Sequence, residues 1–333
     1  MLSRSQHQLI GHLMTSGPLS RKRLTELMGL SKSAVTLMTH KLTQQKFVQE
    51  EGVIDNGGVG RREVLLNVAP ERMHTIGLDI KPKSVTLTVL NMRTEIVHKE
   101  DHSRIDHAIS SIESLILHYE NILGIGVTLR KFHHMNTPRY KTLMDKISAI
   151  GYPVYYMNNV AALAIAYKVF QSNHKDLMVI KYGPGVGSAL IINHNLMNEE
   201  EDKASEIGHS TVDFETKTTL EDTIKYSTLF EGGLKEDEVL EAFRHDRPAL
   251  EKVIRYLAWS IYNAHTFLSI QNIIIAGQIF SEDAVFDQLR DALDGYETIN
   301  QPIRLHRISD YTTKNLKKSA FIPFYYTFVN VQA

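Results

Sequence analysis

Cysteine is absent from all 333 residues, which excludes disulfide frameworks and thiolate metal sites. No apolar run is long enough to span a bilayer. Ser3, Arg4, Gln6 and His7 interrupt what a secretory signal would need as an apolar core, so a cytoplasmic protein with no use for a membrane is expected. Low-complexity tracts and short-period repeats are also missing. What is present is a chain of net charge −1, long enough for two or three domains of ~100–200 residues. Its charge is unevenly spread. Residues 1–70 carry nine Lys/Arg against five Asp/Glu (+4), and the remainder carries 28 against 33 (−5). A modestly basic head on an acidic body suits a DNA-binding module joined to something else.

The head has a legible pattern. Ser20 is placed to cap a helix bearing Leu24 and Leu27, Gly29 breaks the chain, and Ser31 caps a second helix with Val35, Met38 and Leu42 inward. Two helices across a short turn are expected. The opposite face of the second helix presents Lys32, Ser33, Thr36, Leu37 and His40, where a recognition helix meets base edges and phosphates. Phe47-Val48 and Val53-Ile54 read as two short strands, with Val64–Leu66 pairing after a turn at Gly57–Arg62. Gly57, Gly58 and Gly60 allow close approach to a duplex, and Arg61 and Arg62 supply charge for phosphates or the minor groove. The whole reads as a winged helix-turn-helix over residues 1–71; the plain alternative is a helical hairpin with a solvated basic loop.

Beyond a boundary near Asn67–His74, strands alternate with helices, which argues for an α/β fold. Thr75–Ile80 and Ser84–Leu90 suggest a hairpin, followed by a helix at His107–Asn121 and a buried strand at Ile122–Val127. Thr142–Ile150 is helical, Val154–Met157 a strand and Val160–Phe170 an Ala-rich helix. Leu177–Lys181 and Ser188–Ile192 form a second hairpin around Gly183, Gly185 and Gly187. A long helix at Leu250–Leu268, with Trp259, Tyr262 and Phe267 expected in the core, precedes a strand at Asn272–Ala276.

The order of these features, with Ile122–Val127, Asn158-Asn159-Val160-Ala161, Gly183–Gly187 and Ser205-Glu206-Ile207-Gly208-His209, resembles the ROK family. That family comprises transcriptional repressors and bacterial sugar kinases on a two-lobed, actin-like (ribonuclease H-like) ATPase fold. The head looks like the DNA-binding half of its xylose and N-acetylglucosamine repressors. The resemblance implies a first lobe over 72–176 and a second over 177–333, with the C-terminal segment free to return to the first. It also implies a ring of sugar ligands: Asn158, Asn159, Glu206, His209 and, after Leu220, Glu221. Carboxylate, imidazole and amides suit hydroxyls, which both donate and accept. A satisfied structural loop is the other reading of Glu206 and His209.

Departures from the family pattern carry the chemistry. Its kinases open with an Asp-Ile-Gly-Gly-Thr phosphate loop; here stands Asp79-Ile80-Lys81-Pro82-Lys83, where proline removes an amide and lysines replace glycine, and a solvated hairpin turn is the reading. The family's catalytic base is the Asp of an Asn-Asp pair, whereas this chain has Asn159, an amide that cannot act as a general base. Its zinc knuckle is replaced by a cysteine-free stretch after His209, so no metal and no cofactor are expected. The expected function is a non-enzymatic, sugar-metabolism transcriptional regulator, a repressor, sensing a sugar or sugar phosphate. It would act as a homodimer or homotetramer on double-stranded DNA carrying a palindromic operator. The rival readings are an ATP-dependent sugar kinase with an appended DNA module, and a regulator controlled by a protein partner.

Overall fold

A computed structural model describes residues 2–54, 62–81, 83–129, 138–197, 205–235, 238–296 and 302–331. Gly57, Gly58, Gly60, Arg61, Pro82, His133, His134 and the acidic run Glu199–Asp202 lie outside the described residues. The chain divides into two compact units, Met1–Asn159 with Leu316–Ala333, and Val160–Asn315.

The first unit begins with α1 (Arg4–Ser16), where Ser3 and Gln6 cap one another's backbone reciprocally. Then come β1 (Leu19–Ser20), α2 (Arg21–Met28), α3 (Lys32–Gln44), β2 (Val48–Ile54) and β3 (Glu63–Val68). Ser20 and Ser31 accept from the backbone N–H of Arg23 and Ala34, the capping their positions imply. Gly29 takes the left-handed conformation that ends α2, with φ 63°. The strands form an antiparallel sheet in the order β1-β3-β2. Leu9, Leu13, Leu24, Val35, Leu42, Leu66 and Val68 are buried in this head.

Three expectations need correction here. Leu27, in the last turn of the short α2, stays exposed. Met38 is only half-buried, and the neighbouring core position is taken by Thr39, whose hydroxyl accepts from Arg21 Nε at 3.2 Å. Phe47-Val48 and Val53-Ile54 do not form two strands. A bulge between Glu50 and Gly52 absorbs the irregularity, and β2 runs through as one strand against β3.

The rest of this unit is built on β4 (His74–Ile80), β5 (Val85–Asn91), β6 (Ile96–His102), α4 (Ile105–His118), β7 (Ile122–Leu129), α5 (Pro138–Ser148) and β8 (Val154–Asn158). The sheet order is β6-β5-β4-β7-β8, with β6-β5-β4 antiparallel and β4, β7 and β8 parallel. Its two faces differ sharply, because side chains alternate along each strand. One face carries Ile76, Leu78, Leu87, Val89, Ile125 and Val127 into a core shared with Ala108, Ile112 and Leu115 of α4. The other carries Thr75, Gly77 and Asp79 of β4, beside Thr88 of β5 and Gly126 and Thr128 of β7. That face is polar yet buried.

The second unit takes α6 (Asn159–Gln171) from Val160 onward, then β9 (Leu177–Tyr182), β10 (Val186–Ile192), β11 (Asn195–Leu196), β12 (Thr211–Asp213), β13 (Thr218–Thr219), α7 (Leu220–Ile224), α8 (Tyr226–Leu229), α9 (Val239–His245), α10 (Arg247–Leu268), β14 (Asn272–Ala276), α11 (Asp283–Asp294) and β15 (Arg304–Arg307). Its main sheet runs β11-β10-β9-β14-β15, again an antiparallel hairpin followed by parallel strands. Numbered from each sheet's own first strand in chain order, both five-stranded sheets follow one plan, 3-2-1-4-5. Both faces of the second sheet are apolar. Met178, Ile180, Ile273 and Ile275 face α10 and α11, while Leu177, Val179, Ile274 and Ala276 face Leu163, Ala164 and Tyr167 of α6. On α10, Phe267 is 88% exposed instead of buried, as its place in the last turn leaves it uncovered; Trp259 is half-buried and Tyr262 stacks on Tyr296. The chain closes with α12 (Tyr311–Phe324) and a π-helical turn, Tyr325–Val329. Among the described residues no helix is long and apolar enough to cross a membrane.

Candidate functional site

On the head, helical periodicity sorts α3 into two sides. Val35, Thr39 and Leu42 are buried, while Lys32, Ser33, Thr36, Leu37 and His40 are all exposed. Leu37 is 72% exposed, an apolar side chain held outward among polar ones. Thr36 Oγ1 donates back to Lys32 O at 2.8 Å, and Ser33 shares a hydrogen bond with the cap residue Ser31 at 3.0 Å. These bonds fix both hydroxyls on the outer surface. Such a face offers a cation, hydroxyls, an imidazole and an apolar contact, the groups that read base edges and thymine methyls. Arg62 lies exposed just before β3, and Arg61 lies outside the described residues.

In the second unit, Ile207–His209 form one 3-10 turn that carries Glu206 and His209 on an outer rim. Glu206 Oε2 stands 3.8 Å from His209 Nε2, and both side chains are exposed. The turn is strapped to β10. Ser188 Oγ accepts from Ile207 N at 3.3 Å and from Ser205 Oγ at 3.0 Å, and it donates to Ser205 O. Gly208 lies so close to β10 that a Cβ there would sit 2.2 Å from Val186 O. Glu221 completes the strap from the other side, its Oε2 accepting from Val186 N at 2.8 Å. Glu221 therefore fixes the loop as well as offering a carboxylate. Beside it, hydrogen bonds from Lys225 and Thr219 hold the Asp222 carboxyl below its ordinary value.

The first unit holds the remaining expected ligands. Asn158 ends β8 and Asn159 opens α6, both half-buried, at the carboxyl end of the parallel strands, where open α/β sheets bind ligands. Asp79 lies at the same end of β4, in register with Thr128 of β7. Both of its oxygens are engaged: Thr128 Oγ1 donates to Oδ1 at 2.7 Å, and Lys318 Nζ to Oδ2 at 2.7 Å. The Lys318 side chain is 0% exposed and that of Asp79 7%. Lys318 is the residue that sequence reasoning missed. The available signal was a doubled lysine, Lys317-Lys318, running into the apolar stretch Ala320–Phe324.

Residues 75–309 match the ROK family. The chain belongs to the ROK family. The xylose repressor of Bacillus subtilis is 26% identical over 234 residues, 63% of this chain and 61% of that protein's own length. The aligned part thus spans about three fifths of that repressor. The fold extends further. A ROK family transcriptional regulator, a homolog of E. coli MLC protein, superposes with TM-score 0.72 at 17% identity, covering 96% of each chain. A ROK family glucokinase from Streptomyces griseus, in complex with glucose and AMPPNP, superposes with TM-score 0.60 at 17% identity, over 75% of this chain and 98% of the kinase.

Two sites the ROK family implies do not fit the residues present. A zinc ion needs a closed set of N/S ligands. His209 has Glu206 as its acidic neighbour, the chain has no cysteine, and among the described residues no group of three or more His, Asp or Glu is placed to hold a metal. At the place of the family's phosphate loop, the Asp79 carboxylate is paired with Lys318. Lys81 N closes a hairpin on Ser84 O at 2.9 Å, so that amide is turned to its own chain.

Proposed function

We propose that this ROK protein is a sugar-responsive, DNA-binding transcriptional repressor that does not transfer phosphoryl groups. The observation that carries the DNA half is the sorting of α3, which buries Val35, Thr39 and Leu42 and leaves Lys32, Ser33, Thr36, Leu37 and His40 outside. With β2 and β3 following it, and Arg61-Arg62 just ahead of β3 in the sequence, the head reads as a winged helix-turn-helix, α3 entering the major groove and the arginines gripping backbone or minor groove. Two copies would set their recognition helices about one helical turn, ~34 Å, apart on a palindromic operator.

The effector is a sugar or sugar phosphate held by Asn158, Asn159, Glu206, His209 and Glu221. Similarity to a xylose repressor supports a monosaccharide. Catalysis is disfavoured on two independent grounds. Asn159 supplies no base, and the Asp79 carboxylate beside the altered phosphate loop is already bonded to Lys318. The test is Glu206→Ala in a footprinting assay on the operator. The variant keeps the wild-type footprint and no longer responds to the saccharide that alters the wild type. A retained response puts the effector elsewhere, and ATP-dependent phosphorylation of a saccharide by the wild type overturns the non-enzymatic reading.

A further inference from the structure

The polar face of the first sheet is an odd bed for a helix. Gly77 and Gly126 are registered partners on β4 and β7, and α12 crosses them backbone to backbone. A Cβ at Gly77 would sit 2.2 Å from Ala320 N, and one at Gly126 1.9 Å from Ser319 O. Around this crossing three buried hydroxyls, Thr75 Oγ1, Thr88 Oγ1 and Ser319 Oγ, have no hydrogen-bond partner. Buried hydroxyls are normally paired, and each orphan costs the desolvation of its group. As packed, the seam leaves these three groups unpaired. A buried ion pair sits at its edge: Lys318, immediately before the crossing, bonded to Asp79.

The far end of the same segment reaches the head. Pro323 removes one helical donor, the chain widens into the π-turn at Tyr325–Val329, and Phe328 is buried against α1. A Cβ at Gly11 of α1 would sit 2.1 Å from Phe328 O, and the His7 and Phe328 rings meet edge to face at 5.5 Å. Between Lys318 and Phe328 the segment meets glycine backbone at three places, Gly126, Gly77 and Gly11, where atoms cannot swing aside as a side chain can.

We propose that α12 with its terminal turn is a two-position strut, latched by Lys318–Asp79 at the end of β4 and seated on α1 of the head. In the latched position three hydroxyls go unpaired; in the other, the helix moves along the seam, pairs them, and carries Phe328 and α1 with it. Packed elements of this kind switch between discrete positions instead of deforming continuously. The consequence for DNA rests on the reading of the head given above; the strut itself does not.

Hydrogen exchange by mass spectrometry on the full chain tests this with two variants that leave no orphan charge. Asp79→Asn with Lys318→Met removes the latch. Exchange should quicken by at least about tenfold, the effect of one decade in an opening equilibrium, in α1 and the Tyr325–Val329 turn. Thr75→Val with Thr88→Val removes two orphan hydroxyls, favours the latched position, and should slow exchange at those same remote sites. Changes confined to the β4 end and the middle of α12, in either variant, overturn the strut. If the first variant does not fold, the second decides alone. Anisotropy with DNA fragments flanking the gene is read in parallel. Wild-type protein that binds none of them counts against the DNA reading, whereas remote exchange that ignores both variants sinks the strut whatever the DNA does.

Discussion

Replacing Gly208 with alanine tests whether the loop bearing Glu206 and His209 holds the effector. An alanine Cβ would sit 2.2 Å from Val186 O, a backbone atom that cannot swing aside. Restoring an ordinary contact moves the turn away from β10 by roughly 1 Å, the misplacement at which positioned groups lose their geometry. Overpacking of this kind costs ~1–3 kcal/mol. At about 2–4 °C per kcal/mol for a unit of this size, the melting temperature falls by about 2–12 °C. Losing one hydrogen bond between a charged group and a sugar hydroxyl costs ~1.5–3 kcal/mol, so saccharide affinity falls about 10- to 150-fold. Calorimetric titration with the saccharide that alters operator binding reads the second effect, and a thermal melt reads the first. Operator affinity without saccharide should not move. Unchanged saccharide affinity in a destabilised variant would refute the placement of the sugar at this loop.

Other outcomes are expected from different parts of the chain. Arg61→Ala with Arg62→Ala should weaken binding to all DNA sequences and flatten the slope of log affinity against log salt by about 1.8, two phosphate contacts at ~0.9 each; an unchanged slope removes these two arginines from the interface. Lys318→Met alone leaves Asp79 buried and charged, at a cost of ~3–5 kcal/mol or roughly 6–20 °C in melting temperature, and adding Asp79→Asn should restore most of it. Equal melting of wild type and the single variant would contradict the buried pair. Burial holds the His7 and His12 imidazoles below 6.5. Their folded pKa values are depressed, so the unfolded chain binds more protons just below pH 6.5; this stability is complete above that pH and lost as pH falls. The melting temperature should drop between pH 7 and pH 5, and by less in His7→Gln with His12→Gln. Asn159→Asp alone should yield no ATP turnover, since Lys318 still occupies Asp79; robust turnover would show that the pair does not block nucleotide.

Much of this architecture was legible because local and tertiary preferences agree. The strand at Asn272–Ala276 has the bounds its apolar run suggests, since it is covered on both faces, and Ser20 and Ser31 cap where a small polar residue precedes a periodic run. The elements that escaped have remote or polar partners. The buried stripe of α1, Leu9, Ile10 and Leu13, is interleaved with Gln6, His7 and His12, and one of its neighbours is a turn more than three hundred residues later. β6, Ile-Val-His-Lys-Glu-Asp-His, reads as surface because it is an edge strand, and β15 is equally polar. α12 was invisible as a core helix because its bed is glycine and threonine, so the burial of Lys318 follows from Asp79, 239 positions away, and from nothing nearby. The shared plan of the two sheets is likewise a property of strand order, which leaves no periodic trace in residue types. For the candidate site, it is the family resemblance that groups Glu206, His209 and Glu221; that Glu221 also fixes the loop through Val186 depends on a contact across 35 positions.

The most direct test of the central claim is fluorescence anisotropy with DNA fragments flanking the gene, repeated against a panel of sugars and sugar 6-phosphates. Tight, salt-sensitive binding to one fragment, altered by one saccharide, is the predicted result. Specific binding that no saccharide alters would contradict the effector site and point to a protein partner. Absence of any fragment preference would contradict the account at its base.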